Sequence, residues 1–118
     1  MYQFTKILLL LSGITANLHC RQAAIDTPAP IKQLYTIYQN GEINVCKYNG
    51  ELVYSCGLNA YDAGAVIYDK NGKQIGTCNY AFRKVDAVCE KLTDCETVYR
   101  VKDNIWKTPA IDKYGLSK

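Results

Sequence analysis

The sequence has little of the chemistry that nucleophilic hydrolases use. It contains one histidine, His19, and none follows it in the rest of the chain. Catalysis by a Ser-His or Cys-His pair needs a base held within hydrogen-bond distance of the nucleophile. We therefore expect no catalytic residues of these two types.

The sequence also lacks the spacings that predict metal or redox sites. No Cys-x-x-Cys and no His-x-x-x-His occurs, so neither a zinc site nor a redox pair is expected. The segment "DKNG" at 69–72 begins like a calcium-binding loop, but the other ligands of such a loop are missing. A turn is the simpler interpretation, and we expect no metal site and no cofactor.

Carboxylates are the remaining resource for an enzyme. A pair of them can hydrolyse glycosides when both line a cleft, but no spacing in this chain predicts such a pair. A small carboxylate-dependent hydrolase therefore remains only an alternative, and the sequence favours a protein that is not an enzyme. The candidate residues are Glu42, Glu51, Asp62, Asp69, Asp86, Glu90, Asp94 and Glu96.

Neither sign of charge is in large excess. The 14 basic residues stand against 11 acidic ones, a formal net charge of +3. This excess is too small to predict binding to nucleic acid or to an anionic membrane through charge alone. We expect no nucleic-acid partner.

The longest apolar run is short and lies at the N-terminus. Residues 7–11 are all aliphatic and follow a single lysine, which is typical of a secretory signal peptide. A transmembrane helix needs about 20 apolar residues. We predict a signal peptide at 1–16, a tether at 17–29, a single α+β domain at 30–106 and a polar C-terminal tail at 107–118, in a secreted or periplasmic protein.

Six cysteines in an exported chain predict a disulfide framework. They are Cys20, Cys46, Cys56, Cys78, Cys89 and Cys95. Sequence alone leaves the pairing open.

Cys20 has a second interpretation, as a lipid anchor that would attach the protein to a membrane. It lies just after the apolar run, although Asn17 and His19 suit a lipidation site poorly. An even number of cysteines favours the disulfide, because a lipid on Cys20 leaves one thiol without a partner.

Local patterns predict one helix followed by two hairpins. Ile31, Leu34, Tyr35 and Tyr38 lie on one face of a helix over about 29–39. Asn49-Gly50 predicts a two-residue type I′ turn. In that register Cys46 faces Val53 and Ile43 faces Cys56, so Cys46 and Cys56 point to opposite faces and should not bond to each other.

A second hairpin is expected around Gly72, with strands at 65–68 and 74–78 and Asp69 facing Lys73. Val85, Val88, Cys89 and Leu92 then follow a helical spacing, which predicts that Cys89 joins a second helix to the sheet. The segment "ETVYRV" predicts a last strand. The fold class is α+β, with a small antiparallel meander, a further strand, and one or two helices packed on it.

Tyrosine is abundant, with ten residues in the chain. Tyrosine rings offer a large contact area at a low cost in conformational entropy, so they are common where proteins bind. The candidates for a binding surface are Tyr48, Tyr54, Tyr61 and Trp106. The partner would be a protein or a glycan.

The segments "VCKYNGELVYSC" and "VIYDKNGKQIGTC" resemble small, uncharacterised, cysteine-containing lipoproteins exported by Bacteroidota. The resemblance covers residues 45–78, and the chain lacks the adjacent cysteine pair and the later glycine-rich stretch of that group. It implies export and a small β-rich domain.

The sequence therefore predicts an exported, non-catalytic binding module, with inhibitor and effector among the roles open to it. The alternative of a different class is a lipid-anchored structural protein of the cell envelope.

Overall fold

A computed structural model describes residues 26–118. The predicted signal peptide, most of the predicted tether and Cys20 lie outside the described residues, so the expectations for them stay predictions.

One helix and seven strands make up the described chain. The seven strands form a single antiparallel sheet in the order β5-β4-β3-β2-β1-β6-β7. The predicted small α+β fold reinforced by disulfides is confirmed. The elements are α1 (Ala29–Tyr38), β1 (Gly41–Tyr48), β2 (Glu51–Leu58), β3 (Ala65–Tyr68), β4 (Gln74–Asn79), β5 (Lys84–Val85), a 3₁₀ helix (Ala87–Lys91), β6 (Thr93–Arg100) and β7 (Ile111–Asp112).

Helix α1 forms where the apolar spacing predicts it. Pro28 precedes its first residue, a position where the missing N–H of proline costs nothing. Ile31, Leu34 and Tyr38 are buried against the sheet. The Tyr38 hydroxyl lies 2.8 Å from that of Tyr68 on β3, so both phenol oxygens have a partner.

The first hairpin has the predicted register. Asn49 and Gly50 both have positive φ angles, 51° and 78°, as a type I′ turn requires. Cys46 lies opposite Val53, and Ile43 lies opposite Cys56.

The second hairpin is held by the Asp69 side chain. Its carboxylate accepts hydrogen bonds from the backbone amides of Asn71 and Lys73, at 2.9 and 3.0 Å. The amide of Lys73 is the main reason why the pKa of Asp69 is lowered. Gly72 takes the left-handed position, with φ at 85°. The predicted turn is therefore confirmed.

Each face of the sheet carries its own core. Helix α1 and the C-terminal residues Tyr114 and Leu116 pack on the face that contains Ile43, Tyr54 and Cys56. The 3₁₀ helix packs on the opposite face. That second core contains Cys46, Val53, Ile67, Cys78 and Val88.

Two disulfides close the second core. One joins Cys46 on β1 to Cys95 on β6, and is called here the β1–β6 disulfide. The other joins Cys78 on β4 to Cys89 in the 3₁₀ helix, and is called here the 3₁₀ disulfide. They indicate an oxidising environment, extracellular or periplasmic.

The second predicted helix is wrong. Val85 pairs with Cys78 in the sheet, and only Ala87–Lys91 is helical, as a 3₁₀ turn. The segment packs closely on the sheet, because Gly76 has no side chain and leaves space for it. A Cβ atom at Gly76 would lie 2.5 Å from Val88.

The C-terminal residues are part of the fold and not a tail, which corrects the boundary predicted at 107. Strand β7 pairs with β6, where Tyr99 faces Asp112 and Arg100 faces Ile111. The Asp112 carboxylate then accepts hydrogen bonds from the amides of Leu116 and Ser117. Burial raises the pKa of Asp112, but the hydrogen bonds from Ser117 and Leu116 outweigh it and the pKa is lowered.

The sheet has two distinct ends. The tight turns at 49–50 and 69–73 lie at one, called here the hairpin end. The longer connections at 59–64, 80–83 and 101–110 lie at the other, called here the loop end. Helix α1 begins near the hairpin end, since Pro30 lies beside Gly72, and it leads into β1 at the loop end. No helix of the described residues has the length and apolar character to span a membrane.

Candidate binding surface

Exposed aromatic side chains are concentrated at the loop end. Tyr61 is 83% exposed, Tyr80 66%, Phe82 65% and Trp106 39%. They are the four large aromatic side chains that are exposed in residues 26–118, and they come from three different connections. Exposed aromatic side chains at one end of a sheet are candidates for an interaction surface.

Asn79 ties two of these connections together. Its Nδ2 donates to the carbonyl of Asp62 at 2.9 Å and more weakly to that of Ala63, and its Oδ1 accepts from the amide of Phe82 at 3.2 Å. The loop that carries Tyr61 and the turn that carries Phe82 are therefore linked through one side chain.

Gly64 permits this close approach. Its φ angle is 67°, and a Cβ atom there would lie 2.5 Å from the carbonyl oxygen of Cys78. Any larger residue would push the loop at 59–64 away from β4.

Asn59 ties the same loop to the third connection. Its Oδ1 accepts a hydrogen bond of 2.7 Å from the amide of Ile105, the residue before Trp106. Its Nδ2 donates to Asn40 at 3.2 Å, and its backbone amide bonds to the Asn40 carbonyl at 2.9 Å. The three connections are thus joined by side-chain hydrogen bonds.

Asn104 holds the connection at 101–110 in shape from within. It is 6% exposed, and its Nδ2 donates to the carbonyls of Val101 and Thr108 at 2.9 and 2.8 Å. Its Oδ1 accepts from both the amide and the hydroxyl of Thr108, each at 3.1 Å. All four hydrogen-bonding positions of the amide are filled.

Four residues of these connections take the left-handed backbone conformation. They are Asp62, Arg83, Asp103 and Lys107, with φ between 54° and 60°. This conformation costs an L-residue roughly 1–2 kcal/mol, and aspartate tolerates it better than arginine or lysine does. Backbone strain of this kind concentrates where proteins bind or react.

The charged side chains at the loop end have no ion-pair partner in the described chain. Four are basic and two are acidic, and all six are exposed. The ion pairs found in residues 26–118, between Arg100 and Glu42 and between Lys113 and Glu96, involve none of these six side chains. The six residues are Arg83, Lys84, Lys102, Lys107, Asp62 and Asp103.

Two of the four predicted surface residues lie at the loop end. Tyr61 and Trp106 are exposed there. Tyr54 is 3% exposed in the core under α1, which corrects its assignment to a binding surface, because β2 turns this residue toward the helix. Tyr48 lies at the hairpin end and packs against the second core, so it does not join the others.

Sequence reasoning missed Tyr80 and Phe82. They belong to "NYAFRK", two aromatic residues in a polar segment, and a turn interpretation would have exposed both. The helical spacing that begins at Val85 hid this signal, because it favoured a helix directly after these residues.

The cysteines of the described chain leave one thiol unpaired. Cys46 bonds to Cys95, and not to Cys56, as the alternation of faces in the first hairpin indicated. Cys56 has no disulfide partner in residues 26–118, which corrects its assignment to the disulfide framework for that part of the chain. Burial raises the pKa of the Cys56 thiol to about 12, with a smaller contribution from Glu42.

The carboxylates for which contacts are found have structural roles. Asp86 accepts from the amide of Thr77 at 2.7 Å, which fixes β4 to the start of the 3₁₀ helix. Glu42 pairs with Arg100 at 2.6 Å, and Asp69 holds the second hairpin. A cavity of about 380 Å³ lies between β6, β7 and Ser117, and its Asp112 carboxylate is bonded to the C-terminal residues.

In comparisons with known proteins, no family model matches this chain, and no curated protein or solved structure is significantly similar to it.

Proposed function

We propose that this chain is an exported, non-catalytic binding module that contacts its partner, a protein or a glycan, through the loop end. The observation that carries the proposal is that the exposed rings of Tyr61, Tyr80, Phe82 and Trp106 lie on connections at one end of the sheet, and that asparagine side chains join these connections. Inhibitor and effector are the roles open to such a module.

The rigidity of the surface supports binding in particular. Association costs roughly 0.5–1.5 kcal/mol for each flexible side chain that it immobilises, and more when a loop must be ordered. Hydrogen bonds from Asn59, Asn79 and Asn104 order these connections before any partner arrives. Binding residues are commonly found on loops that a rigid scaffold positions.

Export is supported by two independent features. The N-terminal residues have the pattern of a signal peptide, and the two disulfides suit an oxidising compartment. N-terminal sequencing of the exported protein should give Asn17 as its first residue.

The loop end can be tested with paired variants of the full chain. Tyr61→Ser with Phe82→Ser removes two rings of the loop end, and Leu52→Ser with Ile75→Ser removes two side chains that are each 40% exposed elsewhere on the sheet. Binding would be measured by probing arrays of extracellular-matrix proteins, cell-envelope proteins and oligosaccharides. Aromatic side chains at the centre of an interface typically contribute 2 kcal/mol or more, so any specific signal should fall about thirtyfold or more in the first variant.

The control variant should keep its signal, and circular dichroism should show the same melting temperature for the loop-end variant as for the unchanged protein. An array signal that survives loss of both rings, or no signal on any array, would contradict the proposal.

A lipid-anchored structural protein of the cell envelope is the second candidate, favoured by Cys56. In the sequence, an even number of cysteines counted against a lipid on Cys20, because the lipid would leave one thiol unpaired. In the structure, the buried Cys56 is already without a partner in the described chain, so that objection no longer holds. Export with the resemblance to Bacteroidota lipoproteins agrees with this candidate.

Intact-mass measurement separates the two candidates. A lipid on Cys20 would add the mass of its acyl chains and move the protein into the detergent phase on partitioning. An N-terminus at Asn17, without added mass, would rule the anchor out.

A further inference from the structure

We infer that the partner of the loop end is a protein whose contact surface is acidic. This inference rests on the proposed binding function and adds the chemistry of the partner. It follows from the groups that the loop end leaves free after its own hydrogen bonds are made.

The free groups are those that protein interfaces use. Tyrosine, tryptophan and arginine are the residues most enriched among those that dominate binding energy between proteins. The loop end presents Tyr61, Tyr80, Trp106 and Arg83, with Phe82 beside them, and all five are exposed.

The asparagine amides of the loop end are already in use and cannot serve a sugar. Sugar hydroxyls require fixed donors and acceptors in compensation for the water they lose. Asn59, Asn79 and Asn104 direct their amides into the connections themselves. What remains toward solvent is ring surface and full charge, and the full charge favours a partner of opposite charge over a neutral glycan.

The positive charge at the loop end favours a partner whose contact surface is negatively charged. In the three connections and the first residue of β5, Lys84, four basic side chains stand against two acidic ones, whereas the rest of the described chain carries eight basic against nine acidic. The positive excess is therefore local. None of the four basic side chains is neutralised by an ion pair within residues 26–118. Complementary charge steers association and rejects partners of the same sign.

The same excess argues against a second copy of this chain as the occupant. Two copies that met through their loop ends would bring two positive surfaces together, and like charges across an interface are unfavourable.

A peptide library of defined composition tests the inference. The full chain would be immobilised and used to select from phage-displayed random peptides, with Tyr61→Ser/Phe82→Ser protein as the counter-selection. We expect the selected peptides to be enriched in Asp and Glu next to an aromatic or aliphatic residue. Their synthetic versions should bind the unchanged chain at least tenfold more tightly in 50 mM than in 500 mM NaCl.

A matched pair of charge reversals locates the effect. Lys102→Glu lies at the loop end, and Lys70→Glu lies at the hairpin end; both side chains are exposed and outside any ion pair found in the described chain. Lys102→Glu should weaken the selected peptides about three- to tenfold. Lys70→Glu should leave their affinity within twofold.

Each other outcome overturns the inference in a recognisable way. Selected peptides without acidic enrichment, or affinities that neither salt nor Lys102→Glu changes, would show that charge does not choose the partner. Ring-dependent binding to neutral oligosaccharides on an array, without any selected peptide, would leave the proposed binding function standing and refute the protein partner. Failure of both peptides and oligosaccharides would refute the binding function itself.

Discussion

Asn104 is expected to determine whether the connection at 101–110 keeps its shape. Asn104→Ala removes four hydrogen bonds from a side chain that is 6% exposed. A hydrogen bond between neutral groups contributes about 0.5–1.5 kcal/mol net. Thr108 is exposed and can bond to water instead, so we expect a loss of about 2–4 kcal/mol in the free energy of unfolding. In a domain of this size that corresponds to a fall in melting temperature of about 8 °C or more.

Asn104→Asp distinguishes the hydrogen bonds from simple packing. The new carboxylate fills nearly the same volume but cannot donate to the carbonyls of Val101 and Thr108, so at pH 7 it should destabilise the fold more than alanine does. Burial raises the pKa of the introduced carboxyl above its unfolded value of about 3.9. The neutral form then contributes stability below that value, and this stability is lost as the pH rises through the folded pKa.

Urea denaturation of the full chain measures both effects. Circular dichroism follows the whole fold, and the fluorescence of Trp106, the single tryptophan, follows the connection itself. Asn71→Ala is the matched control, since no side-chain hydrogen bond is found for this exposed asparagine, and it should cost less than about 0.5 kcal/mol. If Asn104→Ala costs no more than the control, or if Asn104→Asp gains nothing relative to the unchanged protein at pH 4, the side chain does not hold this connection.

Three further results are expected. Removal of the β1–β6 disulfide by paired Cys→Ala substitution should cost about 1 kcal/mol more in the free energy of unfolding than removal of the 3₁₀ disulfide. The reason is that the two bonds close sequence separations of 49 and 11 residues, which correspond to about 4 and 3 kcal/mol of loop entropy. Equal losses in urea denaturation would contradict this. Because the buried Cys56 thiol is neutral in the fold, stability should decline as the pH rises from about 9 to about 12, and Cys56→Ala should show a shallower decline in melts at pH 8 to 11. Lys107→Gly should raise the melting temperature by relieving a left-handed backbone, whereas Lys102→Gly should lower it; a fall in both would mean that position 107 is not strained.

The elements that sequence predicts correctly are those with local causes. Helix α1 follows from the spacing of Ile31, Leu34 and Tyr38, and the first hairpin from Asn49-Gly50. In each case the residues that decide the conformation lie within a few positions of one another. The register of the hairpin then follows without further information.

The elements that sequence predicts wrongly depend on distant contacts. Val85, Val88 and Cys89 have helical spacing, yet their segment is fixed by a disulfide to Cys78 and by the gap that Gly76 leaves on β4. Tertiary contacts of this kind override local propensity. The C-terminal strand β7 depends likewise on its pairing with β6, and no local pattern around Ile111 predicts a strand there.

The candidate surface is the least predictable part of the molecule. Its rings come from three connections separated by up to 45 positions, and only the antiparallel order of the strands brings these connections to one end. Tyr61 and Trp106 could be named as exposed aromatic residues. Their common location, and the part that Asn59 and Asn79 play in fixing it, required the fold.

The direction of helix α1 sets how the molecule would face its surroundings. The helix begins beside Gly72 and leads into β1 at the opposite end of the sheet, so its first residues lie at the end away from the exposed rings. Pro28 lies eight positions after Cys20, a span that can reach at most about 28 Å. A strand of eight residues adds about 26 Å. A lipid on Cys20 would therefore attach the chain through the end opposite the rings, with the rings at most about 50 Å from the membrane. In this orientation attachment and recognition do not compete for the same surface.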